Sequence, residues 1–144
     1  MLVSEILRIK GSTLFTTPPE APVVDAVKVM AQHDIGSLVV MDHGRMSGIV
    51  TFAEVLRALA DRGGSLGPLK IGEIVERDPL TATGAMDVNE LRRTMLERHA
   101  RYVPVLDGNT LLGVVSFHDV AKAVLEEQGL ENEMLKHYIQ DAPA

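Results

Sequence analysis

Gly48-Ile49-Val50-Thr51-Phe52 returns as Gly113-Val114-Val115-Ser116-Phe117, and the shift of 65 residues that relates the two runs through most of the chain. Phe15-Thr16-Thr17 falls on Leu80-Thr81-Ala82, Val23 on Val88, Met30 on Met95, and Val40-Met41-Asp42 on Val105-Leu106-Asp107. Farther upstream Glu5-Ile6 falls on Glu73-Ile74 at a shift of 68, so the first copy carries three extra residues before its first strand. A fixed internal period of this kind marks a duplicated supersecondary unit. The chain accordingly divides into a first repeat (residues 1–62), a Gly- and Pro-rich linker (63–70), a second repeat (71–128) and a C-terminal helix and tail (129–144).

Each copy predicts the order β-α-β-β-α. A short helical turn, Ser4 to Leu7 or Gly72 to Val75, precedes an extended piece at Phe15 to Thr17 or Leu80 to Ala82. The next helix begins after Pro22, with Val23, Ala26, Val27 and Met30 on one face; its counterpart starts at Asp87 and Glu90 and buries Val88, Leu91 and Met95. Two strands follow, joined by Asp42-His43-Gly44-Arg45 in one copy and Asp107-Gly108-Asn109-Thr110 in the other, both hairpin signals. Closing helices run from Phe52 to Ala60 and Phe117 to Gln128, with apolar stripes Val55, Leu56, Leu59 and Val120, Val124, Leu125. A small sheet with helices on one face leaves its other face bare, so the two copies should cover each other. The expected fold class is α/β (α+β): two pseudo-symmetric β-α-β-β-α repeats packed sheet to sheet, plus a C-terminal helix. That last helix should start after Gly129 and bear Leu130, Met134, Leu135 and Tyr138 on one face, packed on its own domain or on a dimer mate.

Composition removes several function classes. The chain has 144 residues, 46% apolar and 24% charged, with a formal charge of −6. That is one ordinary domain or two very small ones, and a chain of this size can bury roughly two-thirds of its unfolded surface without disulfides or a structural metal. With no Cys there are no thiolate metal sites and no Cys nucleophile. No apolar run approaches the ~18 residues of a membrane span, and Met1-Leu2-Val3-Ser4-Glu5 lacks the basic start of a signal peptide, so a cytoplasmic address and no membrane partner are expected. The acidic balance, two Tyr, three Phe and no Trp argue against nucleic acid as a partner.

The β-α-β-β-α order, the glycine opening the last strand and the closing Gly-x-x-(Ser/Thr)-x-x-(Asp/Glu) resemble the cystathionine-beta-synthase (CBS) domain family, which occurs as tandem pairs. The resemblance covers about residues 1 to 128, and its most specific parts are Val103-Pro104-Val105-Leu106-Asp107 and Gly113-Val114-Val115-Ser116-Phe117-His118-Asp119-Val120. It implies a regulatory module that binds an adenosine-containing ligand in a cleft between the repeats and often forms disc-shaped dimers. AMP, ADP or ATP head the expectation, ahead of NAD or S-adenosylmethionine, and no cofactor is expected. By the same resemblance Asp119 accepts from the ribose hydroxyls with help from Ser116. The base lies between Thr81-Ala82 and Tyr102-Val103 against Val114, and Arg101 meets phosphate, for which a guanidinium is well shaped. A weaker second site would use Thr16, Ser37, Leu38, Thr51 and Glu54, although Gly36 stands there in place of Arg101.

Thr51-x-x-Glu54 and Ser116-x-x-Asp119 also read as capping boxes, which prefer Glu or Gln at the third position. Glu54 therefore fits the cap better and Asp119 the ligand better. Among Arg92, Arg93, Arg98 and Arg101, the first two read as a solvated helix face, and Arg101, just before a buried strand, is the phosphate candidate. Ser116, His118 and Asp119 fall within four consecutive positions at a helix start, whereas the members of a catalytic triad converge from different chain segments. His33, His43, His99, His118 and His137 show no i, i+4 pair, and Gly63-Gly64-Ser65-Leu66-Gly67-Pro68 lacks the Gly-Lys-(Ser/Thr) of a phosphate loop. Catalysis is not expected. The alternative to a nucleotide sensor is a CBS module that binds no ligand and serves protein interaction; a homodimer and an unidentified protein partner complete the expectations.

Overall fold

In the computed structural model, which describes residues 1–11 and 13–141, the duplication holds down to strand register. The first half contains α1 (Val3–Lys10), β1 (Thr16–Thr17), α2 (Val23–His33), β2 (Ser37–Asp42), β3 (Arg45–Thr51) and α3 (Phe52–Asp61). The second contains a 3-10 turn (Ile71–Glu73), α4 (Val88–Arg98), β4 (Tyr102–Asp107), β5 (Thr110–Ser116) and α5 (Phe117–Asp141). β1 pairs in parallel with β2 through Thr17 and Val40, and β2 runs antiparallel to β3 with a register slip between Val40 and Met41. In the other sheet Ala82 bridges Val105 in parallel, and β4 pairs with β5 with a slip between Val105 and Leu106. Every one of these features is its counterpart displaced by 65 residues. The expected strand from Leu80 to Ala82 shrinks to the single Ala82 bridge.

Local chemistry explains the element ends. α2 and α4 each stop in a left-handed residue, Asp34 (φ 52°) and His99 (φ 53°), which turns the chain into the following strand. The first hairpin is closed by Asp42 opposite Arg45, leaving His43 and Gly44 (φ 51° and 78°) in the left-handed region that a type I′ turn requires at both central positions.

The two cores do not follow the linear division of the chain. Val3 and Ile6 of α1 pack with Val88, Leu91, Met95, Val103, Val105, Val115 and Val120 of the second half. Leu69 and Ile71, beyond the linker glycines, pack with Val23, Ala26, Met30, Leu38, Val40, Val50 and Val55 of the first. Backbone hydrogen bonds fix the exchange: Val88 N–H donates to the Met1 carbonyl and Val23 N–H to that of Leu69, both at 2.9 Å. The segment preceding each β-α-β-β-α unit is thus lodged in the opposite unit.

Three further expectations change. Leu56 and Leu125 lie 60% and 67% exposed, and Ala58 and Ala123 complete the buried stripes with Val55 and Val120. A residue next to Val55 sits about 100° around the helix from it, whereas the i+3 position returns to its face. The helical turn at Ser4 to Leu7 extends to Lys10, absorbing part of the three-residue insertion. Finally, no break occurs at Gly129, because α5 runs unbroken from Phe117 to Asp141; an interior glycine costs a helix only about 1 kcal/mol. Met134 and Leu135 of that helix are exposed, while the side chains of Leu130 and Tyr138 lie outside the described residues.

Candidate functional site

The halves meet at the starts of β2, α3, β4 and α5. Phe52 N–H donates to the Gly36 carbonyl at 3.1 Å and Phe117 N–H to that of Arg101 at 2.8 Å, so each closing helix is hung from the residue that opens its sheet. The bulky pair Arg101-Tyr102 stands where the first half has Gly36-Ser37, and the two pairs are complementary in volume. A side chain at position 36 would collide with the Tyr102 ring and hydroxyl. The tyrosine also meets Phe52 edge to face, with ring centres 6.1 Å apart, and the Arg101 guanidinium lies 5.3 Å above that same ring.

Around this junction opens a cleft of about 790 Å³. Its walls come from the end of α1 and the chain beyond it (Leu7, Lys10, Phe15) and from the turn into β2 (Asp34, Gly36, Ser37). Phe52, Arg101 and Tyr102 supply another side, and the outer edge of β5 with the start of α5 (Gly113, Val114, Ser116, Phe117, His118) closes it. Four of the chain's five aromatic residues, Phe15, Phe52, Tyr102 and Phe117, line this one space. Two cations, Lys10 and Arg101, share it with them.

At the β5 edge Ser116 and Asp119 form a reciprocal cap. Ser116 N–H donates to Asp119 Oδ2 at 2.9 Å, and Asp119 N–H donates to Ser116 Oγ at 3.1 Å. The same Oδ2 accepts from Lys10 Nζ at 2.7 Å, and Nζ also donates to the Val114 carbonyl at 2.8 Å. Partial burial alone would raise the Asp119 pKa. The hydrogen bond from Lys10, those within the cap and the lysine charge outweigh it, and hold the carboxyl below its ordinary value of 3.8. The group is therefore an anion at neutral pH, screened from the cleft by the lysine.

The equivalent place in the first half is built differently. Thr51 N–H and Oγ1 both donate to Glu54 Oε1, at 2.9 and 3.1 Å, and Arg57 Nη2 donates to Glu54 Oε2 at 2.8 Å. The outer edge of β3 is covered by main chain: Ile49 and Glu76 exchange N–H to carbonyl bonds of 3.0 and 2.9 Å. A Cβ on Gly48 would meet Val75 Cγ2 at 2.7 Å and the Glu76 carbonyl carbon at 2.9 Å, so this edge needs glycine for close approach.

Of the residues singled out from sequence, Arg101, Tyr102, Val114, Ser116 and Ser37 border the cleft. Asp119 reaches it through Lys10. Val103 and Leu38 point into the cores, at 0% and 1% exposure, because strand alternation that turns Tyr102 and Ser37 to the cleft turns their neighbours inward, and Ala82, 3% exposed, is buried where it bridges Val105. Thr81, Thr16, Thr51 and Glu54 are not among the lining residues. Sequence reasoning missed Lys10, Phe15 and the aromatic wall. The signal available was that Phe52 and Phe117 occupy the same repeat position, directly after the Ser/Thr of each motif.

Comparison with known proteins agrees with this architecture. The CBS domain family profile matches residues 3–61 and 71–126. The chain is 34% identical over 148 aligned positions to the CBS domain-containing protein CBSX3, mitochondrial, of Arabidopsis thaliana, spanning 96% of this chain and 71% of that one. Among solved structures it is similar to a putative signal-transduction protein with CBS domains from Burkholderia ambifaria MC40-6, at TM-score 0.82 and 31% identity over 89% of this chain and 96% of that one. It is also similar to the CBS domain pair of protein MJ0100 in complex with 5'-methylthioadenosine and S-adenosyl-L-methionine, at TM-score 0.77 and 26% identity over 88% and 98% of the two chains.

Proposed function

The chain belongs to the CBS domain family as a tandem pair, and from that premise we propose that it is a regulatory module that binds an adenosine-containing ligand in the cleft between its repeats. The observation that carries this is the concentration of Phe15, Phe52, Tyr102 and Phe117 in a cleft that also holds Lys10 and Arg101. Flat aromatic faces suit a purine, and paired cations suit an anionic tail. AMP, ADP or ATP fit that pairing better than S-adenosylmethionine, whose sulfonium would approach two like charges. The MJ0100 pair, solved with adenosine compounds, supports the ligand class.

We place one site per chain, at the second repeat, with Asp119 and Ser116 facing the ribose and Arg101 the tail. The Ile49–Glu76 pairing covers the equivalent edge in the first repeat, where Thr51 and Glu54 serve as a helix cap. Occupancy would be reported by a change in association with a second copy or a protein partner, through whatever difference in affinity the ligand has for the two states. The chain would do no catalysis and would work in the cytoplasm; no helix among the described residues is long and apolar enough to cross a membrane.

The Ser116–Asp119 cap supports a second reading, an interaction module without ligand in which the pair only starts α5. Thermal unfolding against AMP, ADP, ATP, NAD and S-adenosylmethionine separates the two. A ligand at 100 times its dissociation constant adds ~2.7 kcal/mol, or roughly 5–11 °C for a chain of this size. A shift with one of these that Asp119→Ala abolishes supports the sensor; no shift with any, in protein that unfolds cooperatively, supports the interaction module.

A further inference from the structure

The two repeats cover the same strand edge by different means. At Ile49 the cover is main chain, with Glu76 both donating and accepting. At Val114, the residue 65 positions on, the carbonyl accepts instead from the Lys10 ammonium, which also holds Asp119. The segment that could have paired with β5 is still helical there, because α1 continues to Lys10 before Gly11 (φ 97°) ends it. Main-chain pairing opens only if the segment unpairs. A lysine side chain, 42% exposed, can swing away while the backbone stays in place.

We infer that Lys10 is a tethered internal cation that occupies the ribose-facing carboxylate of Asp119 and must be displaced by ligand, and that once displaced it becomes a contact for the ligand's anionic tail. This rests on the assignment of an adenosine ligand to the cleft. Lys10 lines the cleft and Asp119 does not, so ribose hydroxyls approaching the carboxylate from the cleft meet the ammonium first. An uncharged nucleoside has to break the ion pair and offers the lysine nothing in return. A nucleotide breaks the same pair and gives the freed ammonium a phosphate, beside Arg101 on the same cleft wall. Lys10 thereby discriminates between ligands that share a ribose and base and differ in tail charge.

The test is calorimetric titration of adenosine and of AMP into the wild type, Lys10→Met and Lys10→Arg. Methionine keeps the aliphatic stem and removes the charge. Removing an exposed ion-pair partner should tighten adenosine by roughly two- to fivefold, the worth of such a pair. AMP loses a charge-assisted contact, so the ratio of AMP to adenosine affinity should fall about tenfold or more. Lys10→Arg, which keeps the cation, should stay close to wild type on both. In the wild type, adenosine should bind more tightly as salt rises, because salt weakens the contact it displaces; Lys10→Met should lose that dependence.

Adenosine affinity unchanged or weakened in Lys10→Met overturns the latch and leaves the nucleotide site standing. A wild type and variants that fold but bind neither compound overturn both.

Discussion

Gly48→Ala and Gly113→Ala add the same methyl at the same position of the two repeats, and the structure gives them different costs. At Gly48 the new Cβ meets main chain: the Glu76 carbonyl carbon stands at 2.9 Å, with Val75 Cγ2 at 2.7 Å. The Glu76 carbonyl oxygen is nearer still, so relief requires the Val75–Glu76 segment to retreat by about 1 Å to reach ordinary contact, which breaks or strains the paired Ile49–Glu76 hydrogen bonds. Losing two backbone bonds at about 1 kcal/mol each, with overpacking of 1–3 kcal/mol and a gain of up to about 1 kcal/mol from a stiffer unfolded chain, leaves roughly 2–4 kcal/mol of destabilisation. At Gly113 the nearest atom is Leu7 Cδ2 at 2.7 Å, the far end of a flexible side chain, with every other neighbour at 3.7 Å or beyond. A rotamer change of about 1 kcal/mol accommodates it and is largely offset by the same unfolded-state gain. Urea and thermal unfolding of both variants should differ by about 2–4 kcal/mol, or roughly 4–16 °C in midpoint. Equal losses, or a larger loss at Gly113, would refute the claim that one strand edge is sealed by main chain and the other by side chains.

Arg101→Gln should weaken AMP about tenfold by calorimetry and leave adenosine nearly unchanged, since only the tail loses a charged partner; an equal loss for both ligands counts against its phosphate role. Asp119 has its folded-state pKa held below 3.8, so its contribution is fully present above the ordinary carboxylate range and disappears as pH falls through the folded value. Asp119→Asn should therefore cost about 1 kcal/mol at pH 7 in urea titrations, with the gap closing below pH ~3.8; a gap that widens on acidification contradicts the assigned sign. Ile71→Ala, at a fully buried residue of the connecting segment, should cost about 2–5 kcal/mol, and protection from amide exchange should fall first in α2 and β2; loss centred on α4 would contradict the exchanged packing.

The period of 65 residues made the fold legible, because a hairpin with its register slip and a helix after each Ser/Thr are local events written twice. The exchange of preceding segments was not legible. Val3, Ile6, Leu69 and Ile71 look alike as apolar residues in short turns, and nothing in their spacing says which half they enter. At the site, Ser116 and Asp119 announced themselves through a motif three residues apart. Lys10 is separated from Asp119 by 109 positions, and its copy-two counterpart at a shift of 68 is Asp78, so neither periodicity nor motif pointed to it. The aromatic wall was hidden by scarcity: five aromatic residues argue against a nucleic-acid surface, yet four are enough when the fold gathers them in one place.

The exchanged segments also order events during synthesis. The first core closes soon after Ile71 leaves the ribosome, since all its members precede that point apart from Ile74 and Val75 at its margin. α1 emerges before either β-α-β-β-α unit but has its partners in Ala82 to Val124, so its apolar face stays uncovered while the first unit is made. The helix carrying the lysine of the cleft is therefore made well before the elements it docks on, and the cleft cannot exist on any nascent chain in which the second half is unfinished.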